Sequence, residues 1–109
     1  MNRDQKLIKA AANIQEIHFQ ENQIAKITIE GKSICLVRTS QGLKACLSRC
    51  PHAGGDLSKG YIDKNKNIVC PVHGYRFSMD HGRDSNGEGY FLKIYKVEEN
   101  EEGIFVRLE

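Results

Sequence analysis

The chain has 109 residues, which fits one domain with a modest hydrophobic core. Its formal net charge is +2, and the Lys and Arg residues are scattered, so no basic patch indicates nucleic-acid binding. The charged N-terminal residues do not form a signal peptide, and no apolar run is long enough to span a membrane. We therefore expect a cytoplasmic, single-domain protein over residues 1–109, with neither nucleic acid nor membrane as a partner.

Short apolar runs separated by polar turns indicate β-hairpins in the first half of the chain. The runs are IQEIHF, QIAKITI, SICLV and LKACL, between residues 14 and 47. Near the C-terminus, YFLKIYKV and IFVRL flank the turn EENEEG and predict a closing hairpin. Helical periodicity is weak and confined to residues 7–17. The pattern predicts an all-β protein.

Residues 48–89 differ from both flanks because they hold the two prolines and many glycines but few long apolar runs. A segment of this composition cannot build its own hydrophobic core. We expect it to be a small, loop-rich subdomain inserted into the β framework and organised by a metal centre.

Two short motifs in this segment carry the chemistry: Cys50-x-His52 and Cys70-x-x-His73. Each cysteine is followed by a proline, which stiffens a loop that presents ligands. Two thiolates and two imidazoles could bind zinc, but common zinc sites pair cysteine with cysteine and histidine with histidine. The alternative is a two-iron cluster to which each loop gives one cysteine and one histidine. The remaining histidines, His18 and His81, are most simply a strand residue and a turn residue.

The stretches CPHAGGDLSKG and CPVHGYRF resemble the Rieske iron–sulfur signature, and the resemblance extends from about residue 15 to the C-terminus. It implies an antiparallel β sandwich with a small cluster-binding subdomain and one [2Fe-2S] cluster. Cys50 and Cys70 would bind the inner iron, and His52 and His73 the outer, more exposed iron. The residues expected to surround the cluster are Pro51, Gly54, Gly55, Pro71, Gly74, Tyr75 and Phe77.

The chain departs from the high-potential members of the Rieske family at four positions. Those members have a disulfide between the loops, where this chain has Gly55 and Val72. They also have a serine and a tyrosine that donate hydrogen bonds to sulfur, where this chain has Tyr75 and Phe77. Without these donors, negative charge on sulfur is less stabilised, so we expect the lower part of the Rieske span of about −150 to +300 mV.

The resemblance implies a one-electron carrier, similar to bacterial Rieske-type ferredoxins, that links a flavin reductase to an oxygenase or related enzyme. We expect no catalysis and no small-molecule substrate, since the sequence offers no spare facial triad for mononuclear iron. A small subunit of a larger reductase, as in nitrite reductases, is the main alternative, and a structural zinc module is a third. Arg49, Lys59 and Arg76 flank the motifs and could steer an acidic partner.

Overall fold

The structure is a computed structural model that describes residues 6–108. Within that range the chain forms nine β-strands and two single-turn 3-10 helices, Ile14–Glu16 and Leu57–Lys59. The strands are β1 (Lys6–Ala11), β2 (Ile24–Ile29), β3 (Lys32–Thr39), β4 (Gly42–Leu47), β5 (Tyr61–Ile62), β6 (Asn67–Val69), β7 (Arg76–Ser78), β8 (Ile94–Asn100) and β9 (Gly103–Leu108). No helix among these residues is long and apolar enough to cross a membrane.

The strands form two antiparallel sheets. The larger has six strands in the order β1-β9-β8-β4-β3-β2, and the smaller has three in the order β5-β6-β7. Strands β4 and β8 pair only at Ala45↔Tyr95 and Cys46↔Ile94, and this short pairing joins β1, β9 and β8 to β4, β3 and β2. The prediction of an all-β antiparallel sandwich is therefore confirmed.

Strand β3 is buried on both faces and separates two hydrophobic cores. Ile34 and Leu36 point into the sandwich core, together with Ile104 and Val106 of β9. The side chains between them along the strand point the other way, because successive residues of a strand alternate in direction. Cys35 and Val37 thus belong to a second core, which they share with Cys46, Cys50, Leu57, Ile68, Cys70, Phe77, Met79 and Leu92.

The hairpins predicted from QIAKITI, SICLV and LKACL are present. The turn between β2 and β3 contains Glu30 and Gly31, with φ angles of 49° and 82°. Positive φ at both central residues suits the right-handed twist of a two-residue hairpin. The predicted closing hairpin is formed by β8 and β9.

Two strand predictions are wrong in part. The run IQEIHF forms a 3-10 helix followed by irregular chain, because the Asn13 side chain accepts a hydrogen bond from the Gln15 N–H and caps this turn. His18 is therefore an exposed residue outside any strand. The run YFLKIYKV becomes a strand only at Ile94, since the Leu92 N–H donates to the Gly82 carbonyl instead of joining the large sheet.

The weak helical periodicity in residues 7–17 does not produce a regular α-helix. Strand β1 pairs with β9 along Lys6–Ala11, where Leu7 is exposed, Ile8 is partly buried and Ala11 is buried. Tertiary pairing with β9 therefore decides the structure of this segment.

Candidate metal centre

Two loops, residues 50–55 and 70–75, repeat the same backbone geometry. In the first, the Cys50 N–H donates to the Gly55 carbonyl at 2.9 Å and the Gly54 N–H donates to the Cys50 carbonyl at 2.8 Å. The second loop makes the corresponding bonds at 2.8 and 2.9 Å. Gly54 and Gly74 both have φ of 73°, a conformation that glycine adopts without strain. The repeat in the sequence is thus a repeat in structure, with histidine shifted by one residue.

The first loop is fixed to the sandwich by polar contacts. The Asp56 carboxylate caps the second 3-10 helix through the Ser58 N–H at 3.0 Å and forms an ion pair with Lys26 at 2.9 Å. Burial opposes ionisation of Asp56, but these partners outweigh it and lower the pKa of the carboxyl. The side-chain amides of Gln20 and Asn22 donate to the Ser58 carbonyl at 2.9 and 3.0 Å.

The second loop lies between β6 and β7 of the small sheet. Asp63 holds the preceding turn by accepting hydrogen bonds from the backbone N–H groups of Asn65 and Asn67, each at 2.9 Å. It also pairs with Arg76 of β7 at 2.9 Å. Burial opposes ionisation, yet the donors prevail and lower the pKa of Asp63.

The structure brings together all four candidate ligands. Cys50 and Cys70 are each 1% exposed, and burial together with the neighbouring Cys50 thiol raises the pKa of Cys70. Backbone N–H groups of Val72 and His73 donate to the Cys70 sulfur, which lowers the pKa of this thiol and offsets part of the rise. The two imidazole rings lie outside the thiols, with centroids 5.3 Å apart and planes at 71°.

A buried nitrogen of His52 indicates that these residues suit a metal cluster. The Nδ1 atom of His52 is buried and has no hydrogen-bond partner, an unusual state for a ring nitrogen. An iron ligated by that nitrogen would satisfy it. Across residues 6–108, no three His, Cys, Asp or Glu side chains converge on a single ion position. A two-iron cluster needs only two protein ligands per iron, so this absence does not count against it. The donor set fits a two-iron cluster.

The comparison with protein families decides the identity. Residues 8–89 match the model of the Rieske [2Fe-2S] domain. This chain belongs to the Rieske [2Fe-2S] domain family. Its cofactor is accordingly a Rieske [2Fe-2S] cluster, and the resemblance seen in CPHAGGDLSKG and CPVHGYRF is confirmed.

Among the similar curated proteins are a desaturase and the ferredoxin component of a dioxygenase system. The chain is 37% identical over 63 residues to cholesterol 7-desaturase nvd 1 of Ciona intestinalis, covering 57% of this chain and 13% of that protein. It is 30% identical over 63 residues to the ferredoxin component of the naphthalene 1,2-dioxygenase system of Pseudomonas putida, covering 58% of this chain and 60% of the relative. The chain thus spans less than two thirds of either relative.

Two solved structures share the fold over nearly the whole chain. The ferredoxin of carbazole 1,9a-dioxygenase from Nocardioides aromaticivorans IC177 gives a TM-score of 0.78 at 20% identity, covering 95% of this chain and 99% of that one. A structure described as an NADH-dependent nitrite reductase small subunit from Mycobacterium tuberculosis gives 0.79 at 20% identity, covering 96% of each chain. Both comparisons establish the fold of the Rieske domain in this chain.

The residues predicted to surround the cluster occupy three kinds of position. Phe77 is fully buried in the same core as the two cysteines, while Pro51 and Pro71 are exposed. Gly55 packs against the other loop, since a Cβ atom there would lie 2.5 Å from Val72 Cγ2 and 3.0 Å from the Cys70 sulfur. Gly55 therefore allows the two loops to approach each other.

Sequence reasoning missed three residues near the Rieske site: Asp84, Glu88 and Tyr90. The Tyr75 ring stacks on His52 with centroids 3.7 Å apart, and Tyr90 is edge-on to the same ring with centroids 5.1 Å apart. The Tyr75 hydroxyl donates to Glu88 at 2.5 Å, which raises the pKa of Tyr75 to about 12. No motif marks these residues, because they reach His52 only through tertiary folding.

The remaining cysteines and histidines lie elsewhere. Cys35 and Cys46 are fully buried cross-strand neighbours in β3 and β4, and their contact raises the pKa of Cys46 together with burial. His81 is a turn residue whose Nδ1 accepts a hydrogen bond from the Arg83 N–H at 3.2 Å. Cys35 and Cys46 are both free thiols buried within these two strands.

Proposed function

We propose that Cys50, His52, Cys70 and His73 hold the cluster, with both thiolates on the inner iron and both imidazoles on the outer iron. The observation that carries this proposal is their convergence from two equivalent loops, with the thiols buried and His73 exposed. The unpartnered Nδ1 of His52 supports the same assignment. Cys35 and Cys46 lie in the β3–β4 pair and take no part in it.

A matched pair of variants tests the ligand assignment. Cys35 and Cys50 are both almost completely buried and belong to the same core. We expect Cys50→Ala to lose nearly all bound iron and acid-labile sulfide, because one iron loses its thiolate. Cys35→Ala should retain the cluster at a modest cost in stability. The assignment fails if both variants keep, or both lose, the two irons and two sulfides.

The chain acts, in this proposal, as a non-enzymatic one-electron carrier between a flavin reductase and an oxygenase or related enzyme. The bound cluster supplies a one-electron couple, and the protein holds it, keeps its inner side dry and leaves one edge open. The printed names of the two ferredoxin relatives, which belong to dioxygenase systems, support an oxygenase as a partner. We place this exchange in the cytoplasm, a reducing compartment that suits free thiols.

The edge with the histidines has the features of a transient docking surface. Val72 and Phe91 are large apolar side chains that are 50% and 57% exposed, and His73 is exposed as well. Arg49 and Lys93 line a cavity of about 370 Å³ beside His52 and Phe91. A small apolar patch with unlike charges on the partner suits brief, oriented encounters. Arg76 is a weaker candidate for steering, since Asp63 pairs with it.

The proposed carrier has a low reduction potential. Gly55 and Val72 meet where a disulfide would link the loops, and Phe77 presents no hydroxyl to the cysteine sulfurs. Fewer hydrogen bonds to sulfur leave the reduced state less stabilised.

The carrier role is tested by following electrons through the purified holoprotein. With NADH and the flavin reductase of a dioxygenase system, we expect catalytic reduction of the cluster, followed by delivery of one electron per protein to cytochrome c. Omitting the reductase should stop the reduction. A cluster that dithionite reduces but that exchanges no electron with either protein would contradict the carrier role.

The nitrite reductase type of subunit remains the second candidate, because the fold matches that structure equally well. It predicts a permanent complex rather than brief encounters. Size-exclusion chromatography with a sirohaem nitrite reductase large subunit separates the two, since a stable stoichiometric complex would favour the subunit and independent elution the carrier.

A further inference from the structure

The two candidate histidine ligands are held very unequally. His52 contacts two aromatic rings, with Tyr75 stacked on one face at 3.7 Å and 13° and Tyr90 edge-on at 5.1 Å and 81°. His73 is exposed, and among the described residues its one ring contact is with His52. Stacking restricts rotation of an imidazole, so His52 is held more firmly than His73 even without a cluster.

Hydrogen bonds hold in place the two rings that contact His52. The Tyr75 hydroxyl donates to Glu88 Oε1 at 2.5 Å. Asp84 is 2% exposed, and its carboxylate accepts hydrogen bonds from the backbone N–H groups of Glu88 at 3.0 Å and Tyr90 at 2.8 Å. One buried carboxylate thus fixes the segment that supplies both the acceptor for Tyr75 and the second ring.

The ionisation of Asp84 is consistent with its role as a hydrogen-bond acceptor. Burial alone would raise its pKa, but the backbone donors of residues 86–90 lower it further than burial raises it. The carboxylate is therefore ionised at neutral pH and acts as a strong acceptor for the N–H groups that it holds.

We propose that a clasp of four residues positions His52 before the cluster is loaded; its members are Tyr75, Asp84, Glu88 and Tyr90. His52 is then the firmly held imidazole ligand, and His73 is the ligand that dissociates more easily. This inference rests on the proposed ligand assignment. The four clasp residues are positioning residues, since they act on His52 and not on iron. Cluster loss then begins at His73, whose ring is free to leave.

The apoprotein gives a test that does not require a cluster. Diethyl pyrocarbonate modifies accessible imidazoles, and peptide mass mapping gives a rate for each histidine. We expect His73 to react about as fast as the exposed reference His18, and His52 to react at least several-fold more slowly. Tyr75→Leu should accelerate His52 alone, whereas Tyr75→Phe, which keeps the stacked ring, should have a smaller effect. Equal rates at His52 and His73 in the wild-type apoprotein would overturn the clasp.

The holoprotein tests the consequence for cluster retention. We expect Tyr75→Leu to lose iron to a chelator about three- to tenfold faster, as follows from losing one aromatic contact. Glu88→Gln, which keeps an acceptor but removes the charge, should give a smaller acceleration and serves if the Leu variant folds poorly. Tyr61→Leu is the matched control, because Tyr61 is 50% exposed and outside the clasp. Unchanged rates in Tyr75→Leu and Glu88→Gln would overturn the proposal.

The two tests also separate the clasp from the ligand assignment. Failure of that assignment would appear as a Cys50→Ala variant that keeps its two irons and two sulfides, whatever the reactivity of the histidines. Failure of the clasp would appear as a loaded protein whose two histidines are equally reactive in the apo state.

Discussion

At the scale of single residues, Phe77 offers a test of how the protein stabilises the sulfurs of the two proposed cysteine ligands. Its ring is fully buried in the same core as Cys50 and Cys70. We predict that Phe77→Tyr raises the reduction potential, because a hydroxyl that reaches a cysteine sulfur stabilises the added electron. A hydrogen bond worth about 1 kcal/mol corresponds to roughly 40 mV in a one-electron couple. Potentiometric titration of both holoproteins measures the shift.

A control for Phe77 separates the hydroxyl from repacking. Phe77→Leu changes the packing without adding a donor, so its potential should stay close to that of the wild type. An unchanged potential in the Tyr variant, with the cluster intact, would mean that the hydroxyl does not reach sulfur. An equal rise in both variants would assign the effect to packing.

At the scale of elements, the loops at residues 50–55 and 70–75 approach each other at Gly55 and Val72. A Cβ atom on Gly55 would lie 3.5 Å from Val72 Cβ, at the short end of the usual range for a disulfide of about 3.5–4.5 Å. We predict that Gly55→Cys combined with Val72→Cys forms a loop-to-loop disulfide and slows cluster loss. Mass spectrometry with and without reductant detects the bond.

The single variants provide the comparison for that disulfide. Gly55→Cys alone should lower the thermal stability, since its Cβ also comes within 3.0 Å of the Cys70 sulfur. Val72→Cys alone should be nearly neutral because Val72 is half exposed. If the double variant remains fully reduced under oxidising conditions, the loops are farther apart than the structure places them.

The turn before β6 depends on Asp63 and gives a pH-dependent prediction. Its pKa is lowered below the unfolded value of about 3.9, so its contribution to stability is present above that pH and is lost as pH falls through the folded pKa. Asp63→Asn removes the ion pair with Arg76. We predict a melting temperature about 4–8 °C lower at pH 7, as for a loss of about 1 kcal/mol.

Circular dichroism melting of the holoprotein from pH 7 to pH 3 checks this prediction. The gap between wild type and Asp63→Asn should narrow as the pH falls below about 4, because the wild-type carboxyl then becomes protonated. A gap that is constant with pH would show that the charge of Asp63 does not stabilise the turn.

The elements that sequence predicts well are those whose pattern is local. Strands β2, β3 and β4 follow from alternation and short turns, and the two equivalent loops at residues 50–55 and 70–75 follow from the repeated motif. The run IQEIHF is not a strand, because the capping side chain of Asn13 stabilises a 3-10 turn at Ile14–Glu16. The contacts of Asp84, Glu88 and Tyr90 could not be predicted, since they depend on how residues 84–90 fold back over His52.

At the scale of the whole molecule, β3 connects stability to function. One face of the strand packs in the sandwich core, and the other packs beneath the cluster loops. The cysteines of those loops thus rest on a strand that is already held by two neighbours. We propose that residues 48–89 form a subdomain within a single domain of residues 1–109, supported by this shared strand.

The central claim is that this chain carries one electron at a time on a Rieske cluster of low potential. The most direct measurement is a potentiometric titration of the anaerobically purified protein, followed by electron paramagnetic resonance, with iron and acid-labile sulfide measured on the same sample. We predict two irons and two sulfides, a one-electron Nernst curve, nitrogen couplings from two histidines, and a midpoint in the lower part of the span from about −150 to +300 mV. A midpoint near the top of that span would contradict the low potential, and a sample without the paramagnetic signal after full loading would contradict the carrier itself.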